Sequence, residues 1–250
     1  MIRSGIAGFL ENHSFAAVGW ASLVLLVLLA GSAASSAPRS LAAPLGVPCG
    51  TQGNYFDGTP YSTQTTYGAF ASISTGNPTL CDTAGDSSAW AMLSGGGQCQ
   101  YTQVGYVKQR NMGDVAPHRF LEVRRGCGYP ATFYRESATV SGTHSYRNSY
   151  IFSVGRVYLY WDTTKVAETT WDPALVWTPG WAPEFNGETL YPGDNVPGTT
   201  GSPVYFSSLK RMLRDSSWVN PINLTLTSSF SYYKYQWDTV NQRFHIWTQR

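Results

Sequence analysis

Residues Ser88–Gln109 read SAWAMLSGGGQCQYTQVGYVKQ. Two runs of small, β-branched and aromatic residues flank Gly95-Gly96-Gly97, which predicts strands over Ser88–Leu93 and Tyr101–Gln109 joined by a glycine-rich turn. Alternation in the second run puts Tyr101, Gln103, Gly105 and Val107 on one face. The same period of two recurs outward from this hairpin. It predicts strands at Tyr67–Ser74, Arg119–Arg124, Thr132–Glu136, Tyr150–Val154, Arg156–Asp162, Lys165–Thr169, Phe185–Leu190, Val204–Ser207, Ile222–Phe230, Tyr232–Trp237 and Arg243–Thr248. Only Ser207–Ser216, SSLKRMLRDS, reads as a short helix. Many short strands with turn signals between them mean an all-β chain, expected as a single antiparallel β-sandwich domain over 67–250.

The chain has 250 residues, of which 13% are charged and 14% aromatic, with a net charge of +2. That composition excludes a disordered chain, which lacks apolar surface to bury. Without a Lys/Arg cluster to neutralise a row of phosphates, nucleic acid is not an expected partner. There is no G-x-S-x-G elbow, H-E-x-x-H helix, P-loop or dinucleotide fingerprint, so no cofactor and no metal are expected.

The amino-terminal segment reads as an address. Arg3 precedes an apolar run, Val18–Ala30, followed by the small residues 31–36. This is the order of a secretory signal, with cleavage expected between Ala33 and Ser36. About 13 residues fall short of the roughly 20 that span a bilayer, so the mature chain is expected outside the cell, off the membrane and monomeric. Residues 37–66, rich in proline and small polar residues, are expected to be an extended lead-in.

Export makes the four cysteines, Cys49, Cys81, Cys99 and Cys127, two disulfides. Three connectivities are open. One of them pairs Cys81 with Cys99 across two predicted strands and leaves Cys49 with Cys127. A zinc site is disfavoured, since no two cysteines sit at C-x2-4-C spacing. Asn223-Leu224-Thr225 is a glycosylation sequon.

Two places suit chemistry. Gln103 lies beside Gly105, and its amide hydrogens could meet a developing oxyanion. In Trp181–Pro197, WAPEFNGETLYPGDNVP, an extended strand puts Glu184, Asn186 and Glu188 on one face, where lined-up carboxylates suit general acid/base work. Trp177, Trp181, Tyr191 and Tyr106 are the candidate substrate-contacting rings.

These segments resemble known enzymes. The run SSAWAMLSGGGQCQYTQVGY, Ser87–Tyr106, followed by Arg119–Val123, RFLEV, resembles the core of the eqolisin-type glutamic peptidases, whose catalytic glutamine lies in an L-Q-T-G-type strand. Gln103 stands at that position, and Glu184 in PEF is similar to the family's glutamate in an A-E-W-type strand. Neprosin-like peptidases offer a second likeness: Gly187-Glu188 matches their G-G-E strand, and Gln103 replaces their first glutamate. A wide group of uncharacterised exported bacterial proteins is similar in the same two segments.

The resemblance implies a concanavalin A-like sandwich and a polypeptide substrate. It also implies water activated by Glu188, with Glu184 the second choice, an oxyanion held by Gln103, and a preference for acid. A pI near 8.3 fits acid adaptation poorly. The alternative reading is a lectin-like sandwich binding glycan through Trp171, Trp177, Trp181 and Tyr191. A third is a glycoside hydrolase, since Glu184-Phe-Asn-Gly-Glu188 approaches the laminarinase E-x-D-x-E pattern without its central aspartate.

Overall fold

The computed structural model describes residues 49–59, 65–81, 84–97, 99–221, 224–238 and 243–249. The segment expected to be a signal, and Asn223 of the sequon, lie outside them. Strands follow one another as β1 (Tyr55–Thr59), β2 (Gly68–Ser74), β3 (Asp86–Ser94), β4 (Tyr101–Gln109), β5 (His118–Arg124), β6 (Thr132–Thr139), β7 (Thr143–Ile151), β8 (Arg156–Trp161) and β9 (Thr164–Glu168). After them come β10 (Ala182–Thr189), β11 (Gly198–Thr199), β12 (Ser202–Met212), β13 (Trp218–Val219), β14 (Thr227–Ser228), β15 (Tyr233–Asp238) and β16 (Arg243–Thr248). The α-helix among the described residues is one turn, α1 (Pro173–Val176), whose first backbone N–H groups are met by Asp172.

Two sheets result. One runs β14-β1-β10-β3-β4-β5-β6, and the other β15-β16-β11-β12-β2-β7-β8-β9 with β13 added to β12. All pairings are antiparallel except the single bridge between β11 and β16. Alternation turns Ala89, Ala91 and Leu93 of β3, Val104 and Tyr106 of β4 and Phe185 of β10 inward. They meet Ala69, Ala71 and Ile73 of β2, Tyr146 of β7, Leu159 of β8 and Phe206 of β12. Alanines on the two central strands β2 and β3 leave room for the tyrosines and phenylalanines of their neighbours. Polar groups tie the sheets as well: Tyr106 donates to Ser74 O at 3.2 Å and accepts from Gly76 N at 2.9 Å, and Asn148 Nδ2 donates to Ala91 O at 2.9 Å.

Two sequence expectations give way here, and a third gains detail. In place of the Ser207–Ser216 helix, residues 207–212 end β12 and a turn follows. Ser208 adopts φ 53° where the β12–β2 register shifts, and the buried positions become Val204, Phe206, Leu209 and Met212. A bulge that stretches the inward period from two to three mimics helical spacing. The lead-in holds a strand, β1, paired along its length with β10. The disulfides join Cys49 to Cys81 and Cys99 to Cys127. Cys81 and Cys99 lie beyond opposite ends of β3, whose nine residues span about 30 Å at the strand rise, so the pairing of Cys81 with Cys99 is out of reach.

Candidate functional site

The outer face of the first sheet carries the site. Pairing lines up its side chains in rows across the strands. Glu184 of β10 faces Met92 of β3, which faces Gln103 of β4, which faces Glu122 of β5, which faces Phe133 of β6. A parallel row four residues along runs Phe56, Glu188, Ser88 and Val107. Trp90 and Phe120 between the rows and Val107 in the second row, with Met92 and Phe56 against them, form a small apolar cluster separate from the main core. It is the floor of a cavity of about 500 Å³ whose rim bears Asp86, Gln103, Glu122, Arg124, Glu184 and Glu188. Gly105, opposite Trp90 in the pairing, makes this floor possible. A Cβ there would lie 2.0 Å from Ala89 O and 2.7 Å from Trp90 Cα, so what approaches the glycine closely is the backbone of β3.

The polar groups are held in pairs. Gln103 Nε2 donates to Glu122 Oε2 at 3.2 Å, and the Tyr101 hydroxyl donates to Glu122 Oε1 at 2.5 Å. Trp90 Nε1 donates to Glu188 Oε2 at 2.9 Å. Gln109 Nε2 donates to Asp86 Oδ2 at 2.8 Å. Asp194 accepts from the backbone N–H of Cys81 and of Asp86 at 2.7 and 2.9 Å, fixing the start of β3.

Four carboxyls on one face of a sheet, largely out of water, resist ionising together. Burial pushes Glu188 up to about 8; the Trp90 N–H opposes the shift, and Asp86, Glu122 and Glu184 add to it. Burial likewise pushes Glu184 up to about 7 against a hydrogen bond with Ser94. Asp86 also rises to about 7, chiefly through burial. Glu122 is raised by burial, while Tyr101, Gln103 and Arg124 pull it back. Among the described residues no three His, Cys, Asp or Glu side chains converge closely enough to hold a metal ion.

A second cavity, of about 360 Å³, adjoins the first at Met92, Tyr101 and Glu184 and runs over Gly95–Gly97 to Gly180. Gly180 also borders a third, of about 490 Å³, lined by Tyr67, Tyr150, Phe152, Trp177 and Trp181. The chain of depressions passes Glu184 midway.

The structure therefore brings Gln103, Glu184 and Glu188 to one groove. Asn186, between the two glutamates, is fully buried beside Gly58. Tyr106 faces the other way: it is 0% exposed between the sheets and cannot meet a substrate. Trp177 and Trp181 pack edge to face, 5.4 Å apart, in the aromatic cavity away from the carboxylates. Tyr191 lies in the turn after β10, its carbonyl accepting from Thr189 Oγ1, and Leu190 takes the place at the groove. Sequence reasoning missed Asp86, Glu122 and Arg124. Alternation alone puts Glu122 beside Phe120 on one face of β5. Its meeting with Gln103 depends on a register set across the loop after β4.

No family model matches the sequence, and no curated protein matches it. Solved structures do match in shape. Scytalido-glutamic peptidase with a peptide-based transition-state analogue aligns over 79% of this chain and 98% of its own, with a TM-score of 0.54 at 11% identity. SCP-B, a member of the eqolisin family of peptidases in complex with the tripeptide Ala-Ile-His, aligns over 79% and 98%, with a TM-score of 0.51 at 12% identity. A second structure of scytalido-glutamic peptidase, with a transition-state analogue inhibitor, covers 80% of this chain and all of its own, again at 0.51. At these identities the likeness is one of fold: the chain is built as a β-sandwich similar to that of the glutamic peptidases.

Proposed function

We propose that this chain is an exported glutamic-peptidase-like hydrolase that cleaves polypeptides in the groove on its first sheet. The observation that carries the reading is the row Glu184–Met92–Gln103. A carboxyl and a primary amide stand level with each other, two strands apart, at the lip of one cavity. Two inter-strand spacings separate their Cα atoms by about 9.6 Å, with Met92 between them on the same face, so a water and a peptide carbonyl would lie over the Met92 side chain.

The chemistry follows from those two groups. Ionised Glu184 takes a proton from water as the water oxygen attacks the carbonyl carbon, and the Gln103 N–H not given to Glu122 meets the oxyanion. The proton held on Glu184 then passes to the amide nitrogen as the C–N bond breaks, releasing a carboxylic acid and an amine. Glu188 stands four residues along β10, about 13 Å away at the strand rise, so one substrate carbonyl cannot lie level with both. Register thus favours Glu184 over Glu188 as the base. The linked cavities on either side of Glu184 suit an extended chain, and the two disulfides suit an oxidising compartment. Trp177 and Trp181, 4% and 6% exposed, present less free ring than a glycan-stacking platform uses.

A base must be ionised, so the rate should rise through about pH 7 as Glu184 loses its proton. Glu188, about 13 Å along β10, ionises at about pH 8 too far from that oxyanion to impose a second limb. The test is digestion of a denatured protein between pH 4 and 9. Glu184→Gln and Gln103→Ala should each lower kcat about a hundredfold or more. Glu188→Gln should leave the pH profile close to that of wild type. Abolition by Glu188→Gln with Glu184→Gln active would move the base to Glu188. A folded protein that cleaves at no pH would end the peptidase reading.

A further inference from the structure

We infer that Glu122 is the positioning residue for Gln103, setting which edge of the Gln103 amide faces the groove; the inference rests on the peptidase reading for its catalytic meaning and on the structure for its geometry. A primary amide has two edges of similar shape, one donating and one accepting, and rotating the side chain exchanges them. A catalytic amide therefore needs a neighbour that distinguishes nitrogen from oxygen.

Glu122 does so. It lies directly opposite Gln103 in the β4–β5 pairing, and both of its oxygens accept: Oε1 from the Tyr101 hydroxyl, Oε2 from Gln103 Nε2. A carboxylate that accepts at both oxygens cannot also satisfy the amide oxygen, so Gln103 Nε2 is held towards β5. Its second N–H and its Oε1 are left for the groove.

The arrangement depends on one proton. A protonated carboxyl carries an O–H, and an O–H on Oε2 finds its acceptor in Gln103 Oε1, which turns the amide over. The groups that face Glu122 are Tyr101 and Gln103 from β4, Arg124 from its own strand, Asp86 from β3 and Glu188 from β10, while β6 brings only the uncharged Phe133 opposite it. Arg124 and the two donors favour the carboxylate; burial and the two acids favour the proton. Glu122 consequently titrates above the usual range of a glutamate, and below its midpoint the Gln103 amide is reversed.

The experiment pairs two readouts on wild type, Glu122→Gln and Glu122→Ala. The first is the pH dependence of the Gln103 side-chain N–H resonances by NMR, assigned through Gln103→Ala; the second is cleavage. In wild type the resonances should move with a single midpoint above 4.5. In Glu122→Gln, whose amide holds Gln103 at every pH, that titration should be absent. Glu122→Ala should lower kcat about tenfold or more with KM little changed, as loss of an aligned donor does. Glu122→Gln, whose amide nitrogen takes the place of the protonated oxygen, should not recover that loss and should lack the acid limb belonging to Glu122. Resonances that do not titrate in wild type, or titrate alike in Glu122→Gln, overturn the inference. Titration as expected without cleavage at any pH upholds Glu122 as the clamp and removes the peptidase reading instead.

Discussion

Asp57 stands inside the sandwich, 0% exposed, with neither carboxyl oxygen hydrogen-bonded. Its place follows from β1: Phe56 pairs with Glu188 on the groove face, so the next side chain points to the core, beside Gly187. Burial alone pushes its pKa from 3.8 up to about 8. The sign of the linkage is fixed by that direction. A carboxyl whose folded pKa is raised leaves stability intact below its unfolded value, and stability is lost as pH climbs between the two at about 1.4 kcal/mol per unit. Asp57→Asn removes the ionisation while keeping the shape. It should leave stability at pH 4 nearly unchanged and raise it by a few kcal/mol at pH 7, read from urea midpoints at the two pH values. An equal effect at both pH values would show that Asp57 does not titrate between them.

Among the strands, β3 and β4 decide the site, and Gly105 decides how they meet. Adding one methyl group there drives an atom into the Ala89 carbonyl and the Trp90 Cα, both backbone and unable to swing aside. Gly105→Ala should therefore destabilise by about 3 kcal/mol or more by chemical denaturation, above the usual range for an overpacked core. Variants at the exposed Gly113 or Gly201 measure the background, although Gly113 has φ 76° and resists substitution for its own reason. The bounds of β16 were legible in the sequence because its inward residues alternate without interruption, and those of β4 because a glycine-rich turn and Arg110-Asn111 bracket a run rich in β-formers. β7 was not: its inward side is Tyr146, Asn148 and Tyr150, and the serines and asparagine along it carry a turn signal that only the partner strands β2 and β8 override. The site shows the same division. Gln103 and the two glutamates were visible as residues on strand faces. Which of them stand level depends on register between strands far apart in sequence, and register leaves no mark within a single strand.

For the molecule as a whole, the buried acids act together. Asp57, Asp86, Glu184 and Glu188 all have raised pKa values, so each ionises at a cost between its ordinary range and about 7 or 8. The fold should be most stable near pH 4, and Tm should fall steadily towards pH 8; a Tm that rises over that interval would contradict the protonated state of the groove. Catalysis in the proposed scheme needs the opposite end of the range, where one of those protons has gone. The disulfides bear on a different stage of the protein's life. Cys49 joins Cys81 and Cys99 joins Cys127, so the cysteines pair in the order in which they occur and neither loop encloses or crosses the other. A chain emerging amino end first presents each cysteine with its native mate before either member of the next pair appears. Pairing in sequence order is thus the pattern that oxidation from the amino end would favour.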